Sequence, residues 1–370
     1  MTLRWQRAGA VCAVMLAAAV AAACGSGDND DPEAPAGPPR AYQLGFSSLP
    51  RELNADSYAD TIEFAGEHGE LLLIQRMIPW EEFLPGSEVS QDLAENTAAE
   101  IDAIDDADLD VFFAIDPTDG STARDRLGDL PADLTGRRFD DAAVRAAFLS
   151  YAEYIARNYA PAYMALGVEM NLYYERNQDD FENFKSLYNE AYARVKELSP
   201  ETSITVTFQY EDLQGILPRA DQHFASWHLV RAFEPNIDFV GISTYPSLVY
   251  AHPSQMPETY YSQLTAFTSK PVAIAEMGYA SSGGTTNASE TGEELQASFV
   301  ERALIETEDL DMPFAVWFTI WDPGYARDTP FAIFQDMGLI RADDTRKLAW
   351  STWEESLLRP YEASPAASAP

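Results

Sequence analysis

Two glutamates stand where strand-like apolar runs end, and they are the residues that most directly predict chemistry. Glu169 follows the apolar run of residues 163–168, and Glu276 follows the run of residues 271–275. A carboxylate at the carboxyl end of a buried strand has a large desolvation cost if it stays in the core, so we expect each side chain to face a cleft. Two carboxyl groups in one cleft are suited to act as an acid and a nucleophile.

Cleavage of a glycosidic bond requires such a pair. One carboxyl group protonates the departing oxygen, and the other attacks the anomeric carbon or activates a water molecule. A separation of about 5 to 5.5 Å between them favours the covalent, retaining route. The competing interpretation is that each glutamate is a salt-bridged residue at a protein rim. The catalytic interpretation is favoured because both glutamates end predicted strands.

Eight short apolar runs, each followed by a loop and a helical stretch, would position these glutamates. The predicted strands are 42–46, 71–75, 111–115, 163–168, 204–208, 239–243, 272–275 and 314–318. The predicted helices are 56–67, 90–107, 140–158, 179–198, 221–233, 256–268, 290–308 and 347–357. Continuous apolar runs are typical of strands buried on both faces, and their alternation with helices favours a parallel sheet.

The pattern predicts an α/β protein with a single (β/α)8 TIM barrel. An open, doubly wound sheet is the alternative architecture. It is disfavoured because no Gly-x-Gly-x-x-Gly fingerprint follows the first predicted strand, and no phosphate-binding loop sequence occurs elsewhere.

Polar and aromatic side chains gather at the carboxyl ends of the predicted strands, where barrel chemistry is located. The candidate substrate-binding residues there are Arg76, Trp80, Asp116, Asn171, Gln209, Tyr210, Tyr245, Trp317 and Trp321. Each tryptophan is either a flat platform for a sugar ring or a core residue, and we favour Trp317 as the platform. Asp116 either binds a sugar hydroxyl or caps the turn of residues 117–120.

This layout resembles clan A of the glycoside hydrolases over about residues 41–358. The resemblance is carried by the strand order, the Ile-Ala-Glu-Met-Gly element at 274–278, Tyr245 after the sixth strand and Trp317 at the eighth. It implies that Glu169 is the general acid/base and Glu276 the nucleophile.

The resemblance also assigns supporting roles around the nucleophile. Tyr245 would hydrogen-bond Glu276, Arg76 would support it electrostatically, and Trp317 would form the floor of the sugar subsite. We therefore expect the pKa of Glu169 to be raised by burial and by the Glu276 charge, and Glu276 to be held ionised by Arg76 and Tyr245.

Val168 departs from the clan pattern. The clan usually has an asparagine directly before the acid/base, where it binds the sugar 2-hydroxyl, and Asn171 is a candidate substitute. The overall layout is most similar to secreted enzymes such as endo-β-1,4-galactanases and β-mannanases. Val168 favours the alternative function, a catalytically inactive barrel that binds carbohydrate or serves surface assembly.

The amino-terminal segment is typical of a bacterial lipoprotein signal. Residues 1–7 carry only positive charge, and the apolar residues 8–23 precede Cys24; a spanning helix needs about 20 apolar residues. Ordinary secretion is the alternative. The predicted organisation is a signal peptide at 1–23, a flexible tether at 24–40, the catalytic barrel at 41–358 and a disordered tail at 359–370.

The predicted mature protein is therefore extracytoplasmic and anchored in a membrane, at the cell surface or in the periplasm, through a lipid on Cys24. Its folded body has no disulfide, since Cys12 and Cys24 are the two cysteines of the chain.

Charge and residue usage exclude several other functions. The net charge is −36, with 60 acidic and 24 basic residues, so nucleic acid and polyanionic substrates are disfavoured and a neutral carbohydrate is expected. The chain has four histidines and no His-Glu-x-x-His element, so no metal site and no cofactor are expected. The segment Gly241–Tyr245 lacks the final glycine of a serine hydrolase elbow. We expect a monomer.

Overall fold

The computed structural model describes residues 37–120, 124–219, 223–282, 292–308 and 310–362. The predicted signal peptide, Cys24, most of the tether and residues 363–370 of the tail lie outside the described residues. Within the described ranges, no helix combines the length and the apolar character needed to cross a lipid bilayer.

Parallel strands at eight positions form a barrel. They are β1 Gln43–Ser47, β2 Leu71–Met77, β3 Asp110–Asp116, β4 Tyr163–Ala165, β5 in two segments Ser203–Thr205 and Thr207–Gln209, β6 Val240–Thr244, β7 Val272–Met277 and β8 Phe314–Trp317. Consecutive strands pair, and β1 also pairs with β8. The first segment of β5 pairs with β4 and the second with β6, so this broken strand joins the two ends of the sheet. The predicted (β/α)8 barrel is confirmed.

Helices cover most of the barrel exterior. They are α1 Ala55–His68, α2 Trp80–Phe83, α3 Gln91–Asp106, α4 Ala142–Asn158, α5 Met170–Arg176, α6 Gln178–Leu198, α7 Tyr210–Leu213, α8 Gly292–Thr307 and α9 Leu348–Leu357. The predicted helices 221–233 and 256–268 are not found in the described residues, which have short 3₁₀ turns at Trp227–Arg231 and Ser262–Ala266 instead. Trp227 and Phe267 stack there at 4.3 Å, so aromatic packing replaces helix packing.

Strand residues alternate between the barrel interior and the shell under the helices. The interior cluster contains Leu71, Leu73, Phe112, Ala114, Ala165, Val168, Phe239, Ala273, Ala275, Phe314, Val316 and Phe318. Intervening residues such as Leu72, Phe113 and Ile274 lie in the larger cluster under the helices. The same alternation places Ser47, Gln75 and Asp116 on the interior side, at the carboxyl ends of their strands.

A bulge interrupts this alternation in β7. Ile242 of β6 pairs with Ile274, but the next β6 residue, Ser243, pairs with Glu276, so Ala275 is an extra residue. A bulge brings two successive side chains toward the same face. Glu276 therefore faces the interior beside Ala275, where uninterrupted alternation would have turned it toward the helices.

The two ends of the described chain pack together. Arg40 forms an isolated parallel bridge with Tyr361, and its buried guanidinium group is paired with Glu70. The Nε atom of Arg359 donates to the carbonyl of Pro38 at 2.8 Å. Arg40 and Arg359, which lie just outside residues 41–358, are thus part of the packed body, because Arg40 binds Glu70 and Arg359 binds the carbonyl of Pro38.

Candidate active site

Glu276 lies at the carboxyl end of β7 and is only 4% exposed. The hydroxyl group of Tyr245, which directly follows β6, donates to its Oε2 atom at 2.6 Å. Burial raises the pKa of Glu276 to about 8, and the charge of Glu169 adds to the rise. The Tyr245 hydrogen bond and the charge of Arg124 oppose the rise without cancelling it. We expected an ionised nucleophile, but desolvation favours the protonated form in the free site.

Glu169 stands between the end of β4 and the start of α5. Its backbone has φ 49°, in the left-handed region that costs energy for a residue with a side chain. The backbone N–H donates to Thr207 Oγ1 at 2.9 Å, which fixes this turn against β5. Its Oε2 atom accepts a hydrogen bond from Arg124 Nε at 2.9 Å.

Arg124 is the site residue that the sequence analysis missed. It lies in the loop after β3, where its Nη1 atom is 2.7 Å from both carboxylate oxygens of Asp116 while Nε reaches Glu169. Burial alone would lower the pKa of Arg124, but the charges of Asp116 and Glu169 raise it well above its usual value. No motif marks Arg124 in the sequence. The available signal was the need for a cation beside two inward-facing carboxylates.

Asp116 combines a local role with a role in the site. Its Oδ1 atom accepts hydrogen bonds from the backbone N–H and the hydroxyl group of Thr118, which caps the turn after β3. The same carboxylate holds Arg124. Asp116, Arg124 and Glu169 therefore form a continuous chain of charge-assisted hydrogen bonds at the barrel mouth.

The structure does not bring Arg76 to the glutamates. Its guanidinium group pairs with Glu100 of α3 and contacts the hydroxyl groups of Tyr58 and Tyr159. Side chains alternate along β2, and Gln75 is one of the residues that face the interior. Arg76, the next residue, therefore points outward under the helices.

Trp317 also faces away from the mouth. It is fully buried, its Nε1 atom donates to the carbonyl of Met337 at 2.9 Å, and its ring packs near Phe299 of α8 and Trp353 of α9. The inward-facing residue at this end of the barrel is its neighbour Phe318. Alternation in β8 therefore decides which aromatic ring reaches the interior.

Trp80 and Trp321 are buried as well. Trp80 Nε1 donates to the carbonyl of Gly128 at 2.7 Å, and Trp321 packs on Phe64 of α1 with 5.0 Å between ring centroids. Both tryptophans are core residues in this arrangement.

Asn171, Gln209 and Tyr210 tie loops together beneath the mouth. Asn171 Nδ2 donates to the carbonyl of Gln209 at 3.0 Å, and its Oδ1 atom accepts from the Gln209 backbone at 2.8 Å. The side chain of Gln209 bonds to Glu211 and Asp212, and the Tyr210 hydroxyl group bonds to the Tyr260 carbonyl. Because Asn171 is fully buried with its amide engaged, it does not stand in for the clan's asparagine.

A row of rings, which we call the aromatic wall, connects Tyr245 to solvent. The aromatic wall consists of Phe318, Phe334 and Phe331. Phe334 lies 5.5 Å from the ring of Tyr245 and 4.7 Å from that of Phe318. Phe331 continues the row at 6.4 Å from Phe334 and is 45% exposed. Such a row offers an apolar surface beside Glu276.

Besides the hydroxyl oxygen of Ser243 in β6, two polar atoms on the interior side have no hydrogen-bond partner among the described residues. They are the hydroxyl oxygen of Ser47, at the end of β1, and the Oε1 atom of Gln75 in β2. Buried polar groups are nearly always paired, so these atoms are suited to bind a polar ligand. Val168, fully buried in the interior cluster, offers no such group.

One group of potential metal ligands occurs in the described part of the chain. Glu175, Asp212 and His223 place ligand atoms within 4.8 Å of one another. The guanidinium group of Arg219 pairs with both carboxylates, so a cation of the protein already takes the place that a metal ion would need.

No family model matches the chain, and no curated protein matches it. Several solved structures do. The exo-beta-1,4-mannosidase Op5Man5 from Opitutaceae bacterium strain TAV5 matches with TM-score 0.65 and 14% identity, over 86% of this chain and 59% of that one. A GH5_18 protein from Bifidobacterium longum subsp. infantis matches with TM-score 0.65 and 14% identity, over 88% and 80%. A GH5_18 variant from Streptomyces cattleya, in complex with Manb1-4GlcNAc, matches with TM-score 0.64 and 16% identity, over 88% and 82%.

These comparisons show what fold the chain has. It is similar to TIM-barrel glycoside hydrolases, among which family 5 and family 39 proteins are represented. The chain spans 59% of the length of the Opitutaceae mannosidase. One fold supports many chemistries, so the reaction has to be argued from the site itself.

Proposed function

We propose that the protein is a retaining β-glycoside hydrolase that acts on a neutral poly- or oligosaccharide. The observation that carries the proposal is the pair Glu169 and Glu276 at the carboxyl ends of β4 and β7. The charge of Glu169 raises the pKa of Glu276, so the two carboxyl groups are close enough to interact across the barrel mouth. Each is oriented by a partner, Arg124 for Glu169 and Tyr245 for Glu276.

The reaction proceeds through two displacements. Glu276 attacks the anomeric carbon while Glu169 gives a proton to the departing oxygen, which forms a covalent glycosyl ester on Glu276 and releases an alcohol. Glu169 then takes a proton from water, and the water oxygen displaces Glu276 with retained configuration. Tyr245 directs a hydrogen bond at Glu276 throughout and limits its rotation.

The protonation state of the free site sets a condition on this reaction. Burial favours a proton on Glu276, whereas the attacking species needs Glu276 ionised and the proton on Glu169. A substrate whose leaving oxygen accepts a hydrogen bond from Glu169 stabilises the reactive arrangement. Glu169 makes that bond through its Oε1 atom, since its Oε2 atom accepts from Arg124 Nε and Asp116 keeps Arg124 in place.

The composition of the mouth supports a neutral, β-linked substrate. Even with Glu276 protonated, Asp116 and Glu169 outnumber Arg124, the cation that pairs with both of them among the described residues, and this disfavours an anionic sugar. The aromatic wall offers apolar area to the faces of sugar rings. Since matched structures carry the names mannosidase and Manb1-4GlcNAc, β-mannosides are the first substrates to test, followed by β-1,4-galactan.

The decisive experiment joins a substrate screen to labelling of the nucleophile. The described body, residues 37–362, is incubated with β-linked glycans and aryl β-glycosides, and reducing ends and anomeric configuration are followed by NMR. A 2-deoxy-2-fluoro glycoside of the best substrate is then used to trap the intermediate. We expect the label on Glu276, found by peptide mass spectrometry.

Two variants assign the roles. Glu276→Gln should abolish turnover, whereas Glu169→Ala should keep activity on aryl glycosides with good leaving groups and be rescued by azide with retention. A label on Glu169, or inversion of configuration, would reject the mechanism. Glu100→Gln, which changes a buried carboxylate under the helices, is the matched control and should keep full activity.

The alternative is a catalytically inactive carbohydrate-binding or surface-assembly protein. The buried, apolar Val168 favours it, because no amide stands beside Glu169 to hold the sugar 2-hydroxyl. Glycan binding without release of reducing ends from any member of the panel would favour this alternative over hydrolysis.

For the full chain we propose extracytoplasmic anchoring through a lipid on Cys24. Metabolic labelling with a fatty acid should mark the full-length protein in a bacterial host and leave Cys24→Ser unlabelled. Labelling of Cys24→Ser at the wild-type level would reject the anchor.

A further inference from the structure

Glu211 is a buried carboxylate that pairs with no cation among the described residues. It is the second residue of α7, directly after β5, and is fully buried. Within the described ranges, none of the ion pairs includes it. Burial raises the pKa of Glu211, against the hydrogen bonds of Tyr260 and Thr244, which lower it. A carboxylate in this setting depends on hydrogen bonds for its stabilisation.

Four neutral donors meet at this carboxylate. Its Oε1 atom accepts from the Thr244 hydroxyl at 2.7 Å, the Tyr260 hydroxyl at 2.6 Å and the Tyr245 backbone N–H at 3.0 Å. Its Oε2 atom accepts from Gln209 Nε2 at 2.5 Å. The donors come from the ends of β5 and β6 and from the turn around Tyr260, so one group joins three segments of the mouth.

Tyr245 is therefore held at both of its ends. Its backbone N–H is bound to Glu211, and its hydroxyl group donates to Glu276 at 2.6 Å. We propose that Glu211 is a positioning residue, which fixes the backbone of Tyr245 so that the tyrosine hydroxyl stays directed at Glu276. This role rests on the proposed function, because the position of Glu276 matters only if this residue reacts.

The groups around Glu276 define what a loosened Tyr245 would do. Burial and Glu169 raise the pKa of Glu276, Tyr245 and Arg124 lower it, and Asp116 raises it. Tyr245 is the only one of these groups bound directly to Glu211 among the described contacts. A weaker tyrosine bond leaves the other influences unchanged and moves the pKa of Glu276 upward.

Glu211→Gln tests the proposal. The new amide N–H₂ group would face the Gln209 side-chain donor or, if flipped, the Thr244, Tyr245 and Tyr260 donors, so the present geometry cannot persist. We expect the pKa of Glu276 to rise by roughly one pH unit, and kcat to fall about tenfold with a smaller change in KM. The titration is followed by NMR with ¹³C-labelled glutamate carboxyl groups, and the Glu276 signal is assigned by its loss in Glu276→Gln.

A double-mutant cycle separates positioning from general damage. Tyr245→Phe removes the hydroxyl donor and should raise the Glu276 pKa at least as much as Glu211→Gln. In the double variant the pKa of Glu276 should be no higher than in Tyr245→Phe alone, since Glu211 acts through the tyrosine hydroxyl. Additive shifts, or an unchanged Glu276 titration in folded Glu211→Gln, would overturn the proposal.

Two controls separate the effect on the Glu276 titration from a loss of folding and from the proposed reaction. Glu100→Gln removes another buried carboxylate and should leave the Glu276 titration unchanged. If Glu211→Gln does not fold, Glu211→Asp keeps the charge but shortens the reach to Tyr245, and the same upward shift is expected; a wild-type titration there rejects the proposal. The NMR readout needs no turnover, so a protein inactive on every glycan would reject the proposed function and leave this test intact.

Discussion

At the residue scale, burial governs the charge of Glu276. The hydrogen bond from Tyr245 and the cation Arg124 both favour the carboxylate, yet the pKa is raised to about 8 because water is excluded and Glu169 is near. A buried acid with a raised pKa destabilises the fold whenever the pH ionises it. The same feature that prepares the site for chemistry therefore has a cost in stability.

Glu276→Gln should stabilise the protein in a pH-dependent way. The folded-state pKa lies above the unfolded value of about 4.5, so the stabilising contribution of the protonated form is complete below pH 4.5 and is lost as the pH rises through about 8. We expect the variant to match wild type at pH 4.5 and to exceed it at pH 9 by a few kcal/mol, on the order of the shift. Urea unfolding at both pH values measures the difference, and a constant difference would contradict the raised pKa.

Arg124→Met should act in the opposite direction on stability. It leaves Asp116 and Glu169 as buried carboxylates without their cation, so we expect a loss of about 3 to 5 kcal/mol at neutral pH. The pKa of Glu276 should rise further, because Arg124 lowers it.

Arg126→Met is the matched control, since Arg126 lies in the same loop, is exposed and pairs with Asp119 at 2.8 Å. Its loss should cost no more than about 1 kcal/mol in urea unfolding. If both variants lost the same free energy of unfolding, the hydrogen bonds that link Asp116, Arg124 and Glu169 would contribute no more to stability than an exposed ion pair.

At the element scale, the direction of a side chain depends on strand parity and on one extra residue. Apolar runs were sufficient to predict all eight strand positions, because parallel strands buried on both faces are apolar throughout. The same uniformity conceals which residues face inward. Alternation placed Trp317 outside and Phe318 inside, and the bulge at Ala275 turned Glu276 inward.

The parts of the site that could be predicted are those that sit at strand ends. Glu169, Glu276 and Tyr245 could be selected because each lies just beyond the end of a predicted strand, and the structure brings Tyr245 to Glu276. Arg124 could not be located because a loop conformation, not a spacing, carries it to Glu169. The aromatic wall escaped prediction for the same reason, since Phe331 lies far beyond the end of β8.

Phe331→Ala tests the loop that carries the aromatic wall. A ring 45% exposed contributes little to folding, but stacking on a sugar is worth about 1 kcal/mol. We expect KM for an oligosaccharide to rise several-fold with kcat and the unfolding midpoint unchanged. Ile305→Ala, which removes a 62% exposed apolar side chain from α8, should change neither kinetic constant. A KM that stays at the wild-type value in Phe331→Ala would exclude this ring from the subsite.

At the scale of the whole molecule, the barrel is fastened in two places. One is β5, whose two segments pair with different neighbours. The other is the meeting of the chain ends, where Arg40 donates to the Tyr42 carbonyl at 2.6 Å, to Glu70 and to the Ser356 carbonyl at 3.2 Å. These acceptors lie at the amino ends of the strands and in α9, opposite to the barrel mouth that carries Glu169 and Glu276. The contacts of Arg40 and the pair Glu169 and Glu276 thus lie at opposite ends of the barrel.

Shortening the chain by four residues should reveal this separation. A form that begins at residue 37 keeps Arg40, whereas one that begins at residue 41 leaves Glu70 and the carbonyl groups of Tyr42, Ser356 and Leu357 without their donor. We expect the shorter form to unfold with about 3 kcal/mol less stability and with unchanged kcat on the best substrate well below its melting temperature. Arg40→Met in the longer form should reproduce the loss, which would assign it to the guanidinium group and not to chain length. Identical urea midpoints for the two lengths would mean that water replaces Arg40 at no cost, and the chain ends would then have no part in holding the barrel closed.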